Sequence, residues 1–239
     1  NNKKLSKRDP EANLFLHRDR GFIPEGLLNY LALLGWSIAP DRDVFTLAEM
    51  VDAFEIGNVN PNPARFDQKK AESINGDHIR LLDPDDFAAR CLPYLQQAGL
   101  VGDELSGDQQ RVLRALLPHV QPRVGLLGEV PDMVGFALVS DDDHQVTDEG
   151  RSALREGASE VLDASMTALE AQSEWTTEAL EASLREVLVE GMELSPRHAF
   201  TPLRVAISGR RVSPPLFESM EIIGKDSTLA RLRALRQSL

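Results

Sequence analysis

Lys4-Leu5-Ser6-Lys7-Arg8 places three cations within five residues, with a hydroxyl between them, just ahead of an Asp9-Pro10-Glu11 helix-start signal. A short cationic loop of this kind suits the stabilisation of negative charge as it develops on a transferred phosphoryl or adenylyl group. The same run serves equally well as a solvated terminus. Other chemical signatures are missing. There is no Gly-x-Ser-x-Gly elbow, no Gly-x-Gly-x-x-Gly turn and no His-Glu-x-x-His zinc helix. Gly224-Lys225-Asp226-Ser227-Thr228 fails as a phosphate loop because Ser219 stands where the first glycine is required. The five histidines are scattered without ligand spacing, and Cys91 has no second cysteine to pair with, so no metal is expected.

The chain has 239 residues, of which 42% are hydrophobic and 27% charged, which excludes wholesale disorder and predicts one or two folded domains. No apolar run is long enough for a membrane helix, no signal-type apolar core follows the first residues, and the lone cysteine suits a reducing cytoplasm. The net charge of -12 argues against a nucleic-acid partner only if it is read globally. Residues 140–195 hold fifteen acidic and three basic side chains, whereas residues 196–239 hold eight basic and three acidic ones. A phosphate backbone responds to the surface facing it, so the basic last quarter is a candidate footprint, with solvated helix faces as the plain alternative.

The elements that must position these residues read as helices. Pro24–Leu34 carries leucines at helical spacing before Gly35, and Thr46-Leu47-Ala48-Glu49 is a capping box. Two prolines in Gly57–Pro63 break the chain, Asp67 caps a segment ending near Gly76, Asp83-Pro84 opens a helix to Gly99, and Asp108 opens one to Pro118. Residues 123–139 mix helical spacing with Gly and Pro. Asp141-Asp142-Asp143-His144 reads as a solvated loop and a domain boundary. Residues 147–171 and 176–190 read as two amphipathic helices. Ser195-Pro196 to Gly209, Ser213-Pro214 to Gly224 and Asp226 to Arg236 add three short ones. The second half is expected to be all-α.

Taken in order, Lys4-Leu5-Ser6-Lys7-Arg8, Gly21-Phe22, Pro24-Glu25-Gly26-Leu27-Leu28-Asn29-Tyr30-Leu31 and Leu34-Gly35-Trp36-Ser37 resemble the second signature of class I aminoacyl-tRNA synthetases in its glutamyl form. Pro202-Leu203-Arg204-Val205-Ala206-Ile207-Ser208-Gly209, with Ser213-Pro214-Pro215-Leu216-Phe217-Glu218 and Gly224-Lys225, resembles the anticodon-binding end of the bacterial glutamyl family. The resemblance implies a predominantly α fold: a stem-contact segment over 1–80 that includes the cationic loop, then helical anticodon-binding subdomains over 81–140 and 141–239. The family's nucleotide-binding catalytic domain is absent from this chain. His78-Ile79-Arg80-Leu81 lacks the third and fourth residues of its His-Ile-Gly-His type motif. The chain is thus expected to be the C-terminal part of an ATP-dependent glutamate–tRNA ligase, inactive alone.

The same resemblance assigns roles. Lys4 and Lys7 contact ATP phosphates during adenylate formation, with magnesium in the full-length enzyme; Lys7 meets the transition-state charge, and Ser6 and Arg8 support the loop. Arg204, Ser213, Pro214 and Leu216 form an anticodon surface, a guanidinium beside an apolar turn. Gln121 or Arg123 inspects the last anticodon base: Gln121 in that place implies acceptance of tRNA for glutamine, and Arg123 implies tRNA for glutamate only. Arg65, Lys69 and Lys70 touch stem phosphates. Each has a plain reading too, Arg204 as an ion-pair partner and Ser213-Pro214 as a helix start. The expected protein is a cytoplasmic monomer with a tRNA partner and no membrane. The competing functions are an independent helical RNA-binding module and a protein-interaction adaptor that uses the acidic helices.

Overall fold

The computed structural model describes residues 14–61 and 65–239, so Lys4, Ser6, Lys7 and Arg8 lie outside the described residues. The described residues form thirteen α-helices: α1 (Leu14–Arg20), α2 (Pro24–Leu33), α3 (Leu47–Ala53), α4 (Gln68–Leu81), α5 (Pro84–Gln97), α6 (Gly107–Val120), α7 (Val130–Val134), α8 (Asp148–Ser152), α9 (Ala158–Ala171), α10 (Thr177–Leu184), α11 (Pro196–Ser208), α12 (Leu216–Ile223) and α13 (Lys225–Gln237). Among them the β pairing is an isolated bridge, Ala39 with Arg42, so the predominantly α expectation holds. No described helix is long and apolar enough to cross a membrane. The chain forms two units, one from residues up to Leu95 with Gln121–Val130, the other from Gln96–Val120 with Pro131–Leu239.

In the first unit α2 packs on α4 around Phe22, Tyr30, Ala71, Ile74 and Leu126. Pro24 and Asp67 start these helices as the sequence predicts, Asp67 accepting from the Lys70 N–H. The Thr46–Glu49 capping box opens α3, and it holds the Glu49 carboxyl down at about 2 through hydrogen bonds from the Thr46 backbone, Arg42 and the Thr46 hydroxyl. One expectation fails: α4 runs past Gly76 to Leu81. Gly76 does not stop the helix. It lets the 121–130 segment approach, since a Cβ there would sit 3.2 Å from the Gly125 Cα. Gly26 serves the α2–α4 crossing, where a Cβ would lie 2.7 Å from the Asn75 Cα.

Asn75 joins three segments of this unit. Its side chain is 0% exposed; Oδ1 accepts from the Ile23 N–H at 2.8 Å and Nδ2 donates to the Gly125 carbonyl at 2.7 Å. Asn29 does the same beside it, donating to the Asp43 carbonyl and accepting from the Phe45 N–H and from His78 Nε2. Burial lowers the His78 pKa, which keeps the ring neutral. Arg90 grips Glu25 with two bonds of 2.9 Å and Asp86 with a third, tying α5 to α2.

In the second unit α13 packs on α9 and α11, while α12 packs on α6, α10 and α11. Leu162, Leu169, Leu180, Leu184, Leu188, Leu203 and Leu232 are fully buried. The helix expected over 147–171 is two helices: α8 ends at Ser152, and α9 starts after a link that closes with Gly157 at φ 86° in the capping position. The stretch expected as helix to 190 leaves α geometry at Arg185 and continues as a π-helical segment, Arg185–Gly191. Asp141–Asp143 form an exposed turn as expected, and from it Asp141 also accepts a hydrogen bond from the buried Arg231 at 2.7 Å.

Asn75→Leu, which keeps the volume, leaves the buried Ile23 N–H and the half-buried Gly125 carbonyl without the Asn75 bonds. It is expected to destabilise the protein by about 2–4 kcal/mol. The measurement is the urea midpoint of the intact protein, which should fall with an unchanged m-value.

Candidate functional site

The residues with the strongest sequence signal for contacting a ligand sit on and after α11. Ser195-Pro196 starts this helix and Gly209, with φ 71°, ends it. The last carbonyls of a helix have no partners within it, and here residues from elsewhere in the unit supply them. His144 Nε2 meets the Ala206 carbonyl at 2.8 Å and Arg231 Nη1 donates to the Ile207 carbonyl at 2.9 Å. The Thr147 N–H and hydroxyl both donate to the Gly209 carbonyl at 2.9 Å.

His144, and the Asp141 that pairs with Arg231, carry perturbed protonation. Burial lowers the His144 pKa and the nearby Arg231 charge lowers it further, so the neutral ring keeps its proton on Nε2 to donate. Burial alone would raise the Asp141 carboxyl, but hydrogen bonds from Arg231 and Ser227 outweigh it and hold the group below its ordinary range. Arg231, 4% exposed, also donates to the Phe136 carbonyl, so its charge is neutralised and its hydrogen-bonding fork is engaged.

Arg204 lies one turn before the end of this helix. Its Nη1 donates to the Ser213 hydroxyl at 2.6 Å and to the Pro214 carbonyl at 2.8 Å, and its side chain is partly exposed. The guanidinium and the Ser213-Pro214 turn are therefore held together at one surface. One turn earlier, Phe200 meets Phe217 edge-on at 5.3 Å, with the Arg185 guanidinium 5.6 Å over the Phe200 ring.

The remaining sequence-selected residues fall differently. Leu216, read as an apolar wall for a base, is 5% exposed and belongs to the core, and Pro214 is also buried. Both shape the turn from below, and α12 begins at Leu216 with Pro215 in the capping position. Gln121 and Arg123 form a 3-10 turn in the first unit. Gln121 is 9% exposed, and its amide donates to the Ile79 and Leu82 carbonyls at 2.9 Å each, closing the end of α4. Arg123 is exposed. Arg65 and Lys69 are exposed, and Lys70 pairs with Asp43 at 2.9 Å.

Sequence reasoning missed Asp141, His144, Thr147 and Arg231 as supports. Gly209 was the local signal that the end of α11 needed them. No described group of three or more His, Cys, Asp or Glu side chains could hold a metal ion.

Comparison with known proteins gives a consistent picture. The model of the anticodon binding domain matches residues 86–236, and that of the catalytic domain of class I tRNA synthetases (E and Q) matches residues 1–73. The chain is 61% identical to a glutamate–tRNA ligase of Leifsonia xyli subsp. xyli over 100% of this chain and 49% of that one. It is 60% identical to one of Kineococcus radiotolerans over 99% of this chain and 47% of that one. The chain thus spans about half the length of these relatives. A crystal structure of a glutamate tRNA ligase from Elizabethkingia meningosepticum in complex with its amino acid shares the fold, with TM-score 0.73 and 21% identity over 93% of this chain and 43% of that one. With the anticodon binding domain covering well over half its residues, the chain belongs to the anticodon binding domain family.

Proposed function

We propose that this chain is the tRNA-binding part of an ATP-dependent glutamate–tRNA ligase and that it reads the anticodon through Arg204. The observation that carries this is the grip of Arg204 on Ser213 and Pro214 at the capped end of α11, inside the region matched by the anticodon binding domain. Anticodon bases are unstacked loop nucleotides whose edges side chains can reach. A guanidinium can hydrogen-bond such an edge or stack on it, and the Ser213 hydroxyl beside it, which donates to the Pro214 carbonyl and accepts from Arg204, keeps a second acceptor lone pair. Pro214 and Leu216 act from beneath, fixing the turn that aims these groups.

Residues 1–80 serve as the stem-contact segment, 81–140 and 141–239 as anticodon-binding subdomains, in a monomeric cytoplasmic protein. Exposed basic side chains such as Arg65 and Lys69 add phosphate contacts that hold the RNA without reading it. Lys4, Ser6, Lys7 and Arg8 hold ATP phosphates, and Lys7 meets the charge that develops as the adenylate forms. ATP is the substrate of that step, and magnesium bound to it shares the phosphate charge. Between the two residues weighed for the last anticodon base, exposure favours Arg123 over Gln121, whose amide is engaged by α4. We therefore assign selection of tRNA for glutamate alone.

Arg204→Ala in the intact protein is expected to weaken binding of tRNA for glutamate by about 1–3 kcal/mol and to abolish its preference over anticodon-mutated transcripts. An equal loss for every transcript removes Arg204 from decoding. Lys7→Ala is expected to suppress glutamate-dependent pyrophosphate exchange at least 100-fold on the order expected for loss of a transition-state donor, while tRNA binding is retained. Normal exchange rates exclude Lys7 from the chemistry. Aminoacylation assays with purified tRNAs are expected to charge tRNA for glutamate and leave tRNA for glutamine uncharged; comparable charging of both overturns the Arg123 assignment.

A further inference from the structure

A cavity of about 710 Å³ in the second unit lies beside α11 and carries a second set of arginines. Arg197 and Thr201 line it from α11, Arg211 from the loop after that helix, Arg155 and Glu156 from the link between α8 and α9, and Glu160 from the first turn of α9. Elsewhere in this unit the guanidiniums are occupied, the exposed Arg114 of α6 aside. Arg111, Arg185, Arg210, Arg231, Arg233 and Arg236 each hold a carboxylate, Arg204 holds Ser213, and Arg151 holds Ser238. Arg155, Arg197 and Arg211 make no such bond in the described residues and all face the same hollow. Three arginines against the two acids Glu156 and Glu160 leave these walls with an excess of positive charge, which an anion between the arginines offsets.

The acids restrict what that anion can be. Glu156 and Glu160 on the same walls disfavour a bare polyanion, yet a carboxylate accepts hydrogen bonds from ribose hydroxyls and exocyclic base amines. The volume is far larger than one phosphate needs, and lies within the range that holds a small molecule. A stacked duplex cannot enter it, whereas one splayed nucleotide can.

We propose that this cavity takes one unstacked ribonucleotide of the bound RNA, with Arg155, Arg197 and Arg211 on its flanking phosphates and Glu156 and Glu160 on its hydroxyls or base amine. The assignment rests on the reading that the chain binds a tRNA loop. Thr201 is three residues before Arg204 on α11, and Arg211 stands two residues before Ser213, so one strand following this helix and loop meets both places.

The test uses the intact protein and its tRNA for glutamate, titrated between 50 and 200 mM salt. For Arg197→Ala/Arg211→Ala the slope of log affinity against log salt is expected to shrink by about 1.4, which is about 0.7 for each of two single-strand phosphates, so the variant's deficit narrows roughly sevenfold across that range. Its preference for the correct anticodon is expected to persist, and circular-dichroism melting confirms that it folds. An unchanged slope overturns the proposal, as does an equal fall in the control Arg151→Ala. Cytidine 5′-monophosphate alone is expected to show no saturable binding at micromolar concentrations; such binding, lost in the double variant, assigns the cavity to free nucleotides and overturns the RNA assignment. A wild-type protein with no anticodon preference refutes the decoding by Arg204 while leaving the salt slope to judge the cavity.

Discussion

The end of α11 is the constraint on which the candidate surface depends. A helix terminus exposes carbonyls that burial alone would leave without partners, and a buried unpaired carbonyl costs about 1–3 kcal/mol. Here His144, Thr147 and Arg231, separated from α11 by between 24 and 62 positions in the sequence, each take one. Gly209 permits this because its left-handed backbone brings the chain back under the helix, and its neighbours leave no room for a side chain. A Cβ there would lie 2.2 Å from the Gln145 carbonyl oxygen. With its terminus fixed from three directions, α11 presents Arg204 from a rigid element, and the turn that Arg204 grips is held in turn by Arg204.

What the sequence revealed and what it hid divide along the range of the interaction. The Thr46–Glu49 box, Asp67, Ser195-Pro196 and the glycines at 209 and 224 are local devices, legible because cap and helix lie within a few residues. Arg231 looked like one more cation in a basic segment. Nothing near it in sequence shows that it is buried, because its partners Asp141, Phe136 and Ile207 belong to other segments. Leu216 and Gln121 misled for the same reason. Their residue types suit either a contact surface or an interior, and only long-range packing decides: Leu216 goes to the core and Gln121 to the carbonyls ending α4. Gly76 shows the converse, a breaker by local rule that serves instead as a close-approach site.

An acidic protein can hold RNA because the field at a surface depends on which charges are already paired. A guanidinium bonded to a carboxylate contributes little to the potential beyond its own contact, since the pair is nearly a dipole. Six of the twelve arginines of the second unit are in that condition. The excess of acid over residues 140–195 therefore serves partly as internal counter-charge: Asp163 and Glu170 on α9 hold Arg236 and Arg233 on α13. The pairing that ties α9 to α13 removes those four charges from the external balance, whereas Arg155, Arg197 and Arg211, which hold no carboxylate, line one cavity beside α11.

That gathering depends on a break in a helix. From Thr147 to Ala171 the pattern would support one continuous amphipathic helix, yet the chain forms α8 and α9 with Gly157 between them at φ 86°. A Cβ at Gly157 would meet nothing within 4 Å, so the glycine is required by its backbone angle and not by crowding. The open space beside it is part of the hollow that Arg155, Glu156 and Glu160 line. Had the segment stayed helical, successive side chains at 155 and 156 would diverge by about 100° around the axis and could not share one wall with the first turn of α9 in this way. Breaking the helix forgoes backbone hydrogen bonds and gains a concave surface, and Thr147 at the head of α8 ties the same segment to the Gly209 carbonyl. The cavity wall and the end of α11 are thus both tied to one short stretch of chain, residues 147–157.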